Sequence, residues 1–164
     1  MKKFEKIYEA NKELDDLFSE DFDFYDKDIF SKNALELLVE IGELANETRC
    51  FKYWSTKQPS SKEVILDEYA DCMLMAFAFC NGLEVSLEEE FENTIPRKIH
   101  EQFLYLYKIS SDLVNDYNKD IVKRILVNLV YLGSLLNFDD QDIIDGCLNK
   151  INRNKKRLQN KFAE

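Results

Sequence analysis

The chain has 164 residues, 45% of them hydrophobic and 33% charged, with only 4 Gly and 2 Pro. That length is one ordinary domain with enough apolar material for a core, and the composition excludes disorder and points to helix. The net charge of −10, from 22 basic and 32 acidic residues, disfavours nucleic acid or an anionic membrane as a partner.

The four cysteines, Cys50, Cys72, Cys80 and Cys147, form no CxxC pair and no Cys/His cluster. Free thiols in a reducing cytoplasm are therefore expected, not a zinc site. The first residues, MKKFEKIYEANKELDD, lack the apolar core of a signal peptide. The longest apolar run, Cys72–Cys80, is too short to span a bilayer. The chain reads as a cytoplasmic protein.

In chain order, residues 4–18 carry apolar side chains at helical spacing. An acidic, aromatic connection, DFDFYDKD, follows. A second helix is expected from about Asp28 or Ser31 to Trp54, with Ala34, Leu37, Leu38, Ile41, Leu44, Ala45 and Thr48 on its apolar face. Glu36, Glu40, Glu43 and Glu47 make a stripe bordered by Leu35 and Val39. After the polar turn STKQPSS, Lys62–Gly82 reads as a helix that is almost wholly apolar beyond its first two turns, stopped by Gly82 in positive φ. Ser86–Glu89 reads as a capping box opening a further helix that Pro96 interrupts or kinks and that continues over residues 99–113. Asn118 is positioned to cap residues 121–136, and Asp139 a last helix from about Asp140 to Phe162 with a basic tail. Residues 1–164 are thus expected to form a single all-α domain of about six helices.

The chemistry lies in two spaced pairs. Glu40 and Glu43 are three apart on the second helix, and Glu68 and Asp71 three apart on the third, so each pair shares one helical face. If the two helices are antiparallel, four carboxylates converge. A hard divalent cation such as Mg²⁺, which takes oxygen ligands, resolves their repulsion. The bland alternative for the glutamate stripe is a solvated face. It applies less to Glu68 and Asp71, whose helix is apolar and where an uncompensated carboxylate is costly. A di-iron bundle would need Glu-x-x-His pairs, and the single histidine, His100, has no such partner.

An ExxE and an ExxD pair on adjacent helices resembles the all-α NTP pyrophosphatase superfamily, which includes the MazG-type enzymes and the dimeric dUTP diphosphatases. The runs LVEIGELANETRCFKYWS at Leu38–Ser55 and PSSKEVILDEYAD at Pro59–Asp71 closely resemble the dimeric dUTP diphosphatases of Gram-positive bacteria and their phages. Weaker likeness extends to EANKELDDLF at Glu9–Phe18, to EQFLYLYKIS at Glu101–Ser110 and to the tail.

The resemblance implies Mg²⁺ bound by Glu40, Glu43, Glu68 and Asp71, attack of water on the α-phosphorus of dUTP, and release of dUMP and pyrophosphate. It implies that one of these four carboxylates orients or deprotonates the water, and Glu43 is taken here as that group. Asn11 and Asp15 take the places of base-recognising residues on the first helix. Trp54 matches an aromatic residue near the base, its alternative being an apolar anchor at a helix end. Lys62, with Lys52 and Lys57, surrounds the turn where phosphates would lie, although lysines there are also commonly just solvated. In the tail, Lys150, Asn154 and Arg157 match positions that close over the phosphates. Cys147, Ile151 and Leu158 replace a Tyr, an Asn and a Gln of that pattern, and Leu74 replaces a His. All four positions are expected where substrate closure or sugar recognition is tuned. A homodimer is also implied. Two other readings stay open at this point: a pyrophosphatase for another or modified nucleoside triphosphate, and a non-catalytic helical scaffold.

Overall fold

The structure is a computed structural model that describes residues 1–18, 23–24, 26–88, 95–115 and 117–161. Among these residues it is helical without strands: α1 (Glu5–Phe18), α2 (Lys27–Thr48), α3 (Lys62–Gly82), α4 (Ile99–Asp112), α5 (Lys119–Leu135) and α6 (Asp140–Lys161). Short 3₁₀ turns precede α1 at Lys2–Phe4 and follow α4 at Leu113–Asn115. No single described helix is long and apolar enough to cross a membrane.

α3 is the axis of the domain. A helix apolar on nearly every side must be surrounded to remove that surface from water. α3 accordingly packs against α1, α2, α5 and α6, burying Tyr69, Ala70, Cys72, Met73, Leu74, Ala76, Phe77, Phe79 and Cys80. α2 runs antiparallel to it. At one end the Ser60 N–H donates to the Glu47 carbonyl at 3.1 Å, and at the other Phe30 meets Phe79 edge-on at 5.2 Å. α4 and α5 are clasped by the buried Gln102, whose Nε2 donates to the Asn128 carbonyl at 2.9 Å and to Asn128 Oδ1 at 3.0 Å.

The caps follow the sequence closely. Ser61 caps α3, Asn118 caps α5 by accepting from the Asp120 N–H at 2.8 Å, and Asp139 accepts from the Asp142 N–H at 2.8 Å at the start of α6. Asp26 caps α2 through the N–H groups of Asp28 and Ile29, at 2.9 and 3.0 Å.

Three expectations change. α2 ends at Thr48, not near Trp54: Arg49 takes φ 55° and turns the chain out while its N–H returns to the Ala45 carbonyl. Gly82 does not supply the positive φ after α3; Glu84 does, at φ 54°. Gly82 is instead where the Phe24 ring lies against the helix, leaving no room for a Cβ. Leu87 and Glu88 do not begin the helix expected after Ser86, while the interruption expected at Pro96 is present. Leu87 and Glu88 form a turn, residues 95–98 are not helical, and α4 begins afresh at Ile99, with the Lys98 N–H capped by the Glu101 carboxylate at 2.9 Å. Glu89 of the expected capping box, and the end of the last helix at Phe162, lie outside the described residues.

Candidate functional site

The antiparallel pairing of α2 and α3 brings Glu40 face to face with Glu68 and Asp71. One carboxylate oxygen from each lies within 4.8 Å of the others, and all three residues are half-buried. Glu43, one turn further along α2, is exposed and stands outside this triad. Its charge nonetheless acts on both Glu40 and Glu68. Glu36 lies a turn before Glu40 and adds to its field. Glu47 leaves the stripe altogether: its carboxylate accepts from the Ser60 hydroxyl and ties the start of α3 to the end of α2.

Burial and like charge set the electrostatics. Partial burial, then Asp71, Glu43, Glu36 and Glu68, push the Glu40 carboxyl up to about 7. Burial and Asp71 raise Glu68, with Lys150 pulling the other way. Burial raises Asp71 as well, again against Lys150. Burial first, and like charge after it, disfavours the ionised carboxylates here, and a cation would relieve both. The donors fit a hard divalent ion: three carboxylate oxygens on two rigid helices, with no imidazole or thiolate among them.

α6 supplies a cation of its own. The Lys150 ammonium donates to Asp71 Oδ2, and to Asp67 Oδ2 at 3.0 Å. Arg153 reaches the other oxygen of Asp67. Lys150 is raised above its ordinary value: burial lowers it, but its hydrogen bonds to the two aspartates outweigh that. Asp67 and Arg153 escaped the sequence reading. The available signal was an i, i+4 aspartate pair on α3 matched by a Lys–Arg pair three apart on α6.

The remaining expected residues are placed as follows. Asn11 is buried, and its Nδ2 donates to Asp15 Oδ2 at 3.1 Å and to the Leu74 carbonyl at 3.2 Å. Asp15 also accepts from Asn81 Nδ2 at 3.0 Å, and burial lifts its carboxyl to about 6. Asn81, missed by the sequence reading, keeps its buried Oδ1 without a hydrogen-bond partner in the protein. The polar group Asn11–Asp15–Asn81 thus lies along the α1–α3 contact and begins one turn beyond Asp71.

Trp54 is not a core anchor. It is 66% exposed on the loop after α2, edge-on to Tyr53 at 5.2 Å and to Phe51 at 6.1 Å. Arg49 shapes that loop by donating to the Ser55 hydroxyl at 2.6 Å and the Lys57 carbonyl at 3.1 Å. Lys52 pairs with Asn46 Oδ1 and Lys57 is exposed. Lys62 is turned toward α6, bonded to Asp142 at 2.7 Å and lying over the Phe138 ring. Arg157 is exposed and Asn154 half-buried on α6.

The four replacements are core positions. Cys147, Ile151 and Leu158 are buried on one face of α6, and Leu74 is buried on α3. Their side chains fill the space between helices. All four cysteines are free thiols, three of them buried.

The fold and this cluster define an all-helical domain with an oxygen-rich acidic site on two antiparallel helices. The family model for dUTPases matches residues 3–162, and the chain belongs to that family, of the all-α type. It is accordingly a hydrolase of the nucleoside triphosphate diphosphatase class, and the family supports dUTP hydrolysis in general. No protein among those of curated function matches the chain.

Proposed function

We propose that the protein hydrolyses dUTP to dUMP and pyrophosphate with Mg²⁺ held by Glu40, Glu68 and Asp71, and with Glu43 alongside them. The observation that carries this reading is the triad: three carboxylate oxygens within 4.8 Å of one another, on a chain of the dUTPase family. When bound, the ion supplies positive charge for the triphosphate oxygens and lowers the barrier to attack on phosphorus, which an acidic protein cannot do by itself.

The chain's own residues do the rest. Glu43 is solvent-accessible at the edge of the triad and unengaged in it, which suits a base that takes the proton from the attacking water. As the water oxygen bonds to the α-phosphorus, the bond to the α–β bridging oxygen breaks and pyrophosphate leaves. Lys150 is the nearest cation for the phosphate oxygens, with Asn154 and Arg157 following it along α6. Trp54 offers an exposed aromatic face for stacking on the base. Asn11 and Asp15, with Asn81, present amide and carboxylate groups toward the other end of α3, so they and Trp54 would serve one base only across a dimer. Lys62, held by Asp142, contributes positive charge near the start of α3.

The protein acts as a homodimer in this reading. Leu35 and Val39 on α2 and Leu104 and Tyr107 on α4 are exposed apolar side chains on two helices that pack together. The free thiols suit a reducing cytoplasm. The test is to incubate the protein with each deoxynucleoside triphosphate and Mg²⁺ and measure pyrophosphate. Release from dUTP above the others supports the reading, and no release from any nucleotide sinks it.

A further inference from the structure

We propose that Lys150 is a built-in counter-ion of the carboxylate triad, and that a divalent cation entering the triad displaces its ammonium from Asp71 onto Asp67. The proposal rests on reading Glu40, Glu68 and Asp71 as the cation site.

Three features of the geometry support it. First, the Lys150 ammonium bonds Asp67 and, at the same time, one of the three triad members, Asp71. An ion pair serving only to dock α6 on α3 is already present beside it, between Arg153 and Asp67. Second, the Lys150–Asp71 pair is poorly solvated, with side-chain exposures of 13% and 19%. Water therefore screens little of the repulsion between an ammonium and a divalent ion that share one carboxylate. Third, the exchange has somewhere to go. Lys150 already donates to Asp67 at 3.0 Å, so displacement gives up one hydrogen bond and keeps another. Arg153 holds Asp67 in place throughout.

Lys150 then stays beside the ion instead of swinging into solvent, with a donor freed from Asp71 for an anionic oxygen. Cation binding and the readiness of this lysine for a phosphate become one event. The triad also has a partner of its own in the meantime, which tempers the repulsion that its convergence creates.

The experiment compares Mn²⁺ binding to the full chain and to Lys150→Met by calorimetry and by electron paramagnetic resonance. Methionine keeps the apolar stem and removes the competing charge. The expected result is that Lys150→Met binds Mn²⁺ roughly tenfold more tightly while its metal-free form melts at a lower temperature. Equal or weaker binding by the variant, with the unsubstituted chain still binding Mn²⁺, overturns the counter-ion and leaves the metal site standing. No binding by either chain overturns the metal site and the counter-ion with it. If Lys150→Met fails to fold, the unsubstituted protein decides. Its Lys150 ¹⁵Nζ resonance must shift on titration with Mg²⁺ and must not shift in Asp71→Asn; an unmoved resonance overturns the proposal.

Discussion

The hydroxyl of Tyr69 lies 2.7 Å from where a Cβ on Gly133 would begin, because it donates to the Leu129 carbonyl at 3.0 Å. Tyr69 is wholly buried and adjoins Glu68 on α3. The contact fixes how α3 is rotated against α5, and so which way the triad faces. Gly133→Ala is expected to cost about 1–3 kcal/mol, since the buried ring cannot withdraw. Tyr69→Phe should cost about 0.5–1.5 kcal/mol through the lost hydrogen bond. In the double variant the hydroxyl is gone and the new methyl gains room, so the two costs should fall short of additive. Urea denaturation of the four proteins checks this; simple additivity would mean that the two residues do not press on one another.

Glu40 makes metal binding and stability depend on pH in opposite directions. Its carboxyl is pushed up to about 7 in the fold from an ordinary value of 4.5. Between those values the folded protein binds more protons than the unfolded one, so this group's contribution to stability falls as pH rises from about 4.5 to 7 and is level above. A cation needs the carboxylate, so affinity should rise with pH through 7. Calorimetry of Mg²⁺ binding in buffers of different ionisation enthalpy should show proton release near pH 6.5 that fades by pH 9. Proton release independent of pH would remove Glu40 from the site.

Glu43 is exposed and outside the triad, so the proposed base and the proposed cation ligands can be tested separately. Glu43→Gln is expected to lower kcat by about 10²–10⁴-fold with Mn²⁺ affinity and melting temperature nearly unchanged. Asp71→Asn should lose both activity and Mn²⁺ binding. If Glu43→Gln instead abolishes Mn²⁺ binding, Glu43 is a ligand.

Trp54 is exposed on the loop after α2, with few contacts to hold it in the fold. Trp54→Ala should change stability by less than about 0.5 kcal/mol and raise KM for dUTP several-fold. The measurement is a steady-state titration beside a melting curve. A large loss of stability with KM unmoved would return Trp54 to a packing role.

Much of the fold was legible because helices announce themselves locally. Lys62–Gly82 falls where its apolar run and the polar turn before it place it, and Asn118 and Asp139 mark their helices by their capping chemistry. The end of α2 was not legible, because Arg49 adopts its left-handed backbone in response to partners at Ser55 and Lys57 that only the folded loop supplies. Nor was the purpose of Gly82, which is decided by the ring of Phe24 arriving from elsewhere in the chain.

The site divides the same way. The three-residue spacings by themselves determined that Glu40 shares a helix face with Glu43, and Glu68 with Asp71, because helical periodicity is a property of the local chain. Only the tertiary structure decided which of the four meet. It left Glu43 at the edge, spent Glu47 on Ser60, and sent Cys147, Ile151 and Leu158 into the core. It also brought Lys150 across from α6 to Asp71. Spacing along one helix is set by bonds between neighbours. Convergence between helices is set by how their buried faces pack, and that information is spread over the whole chain.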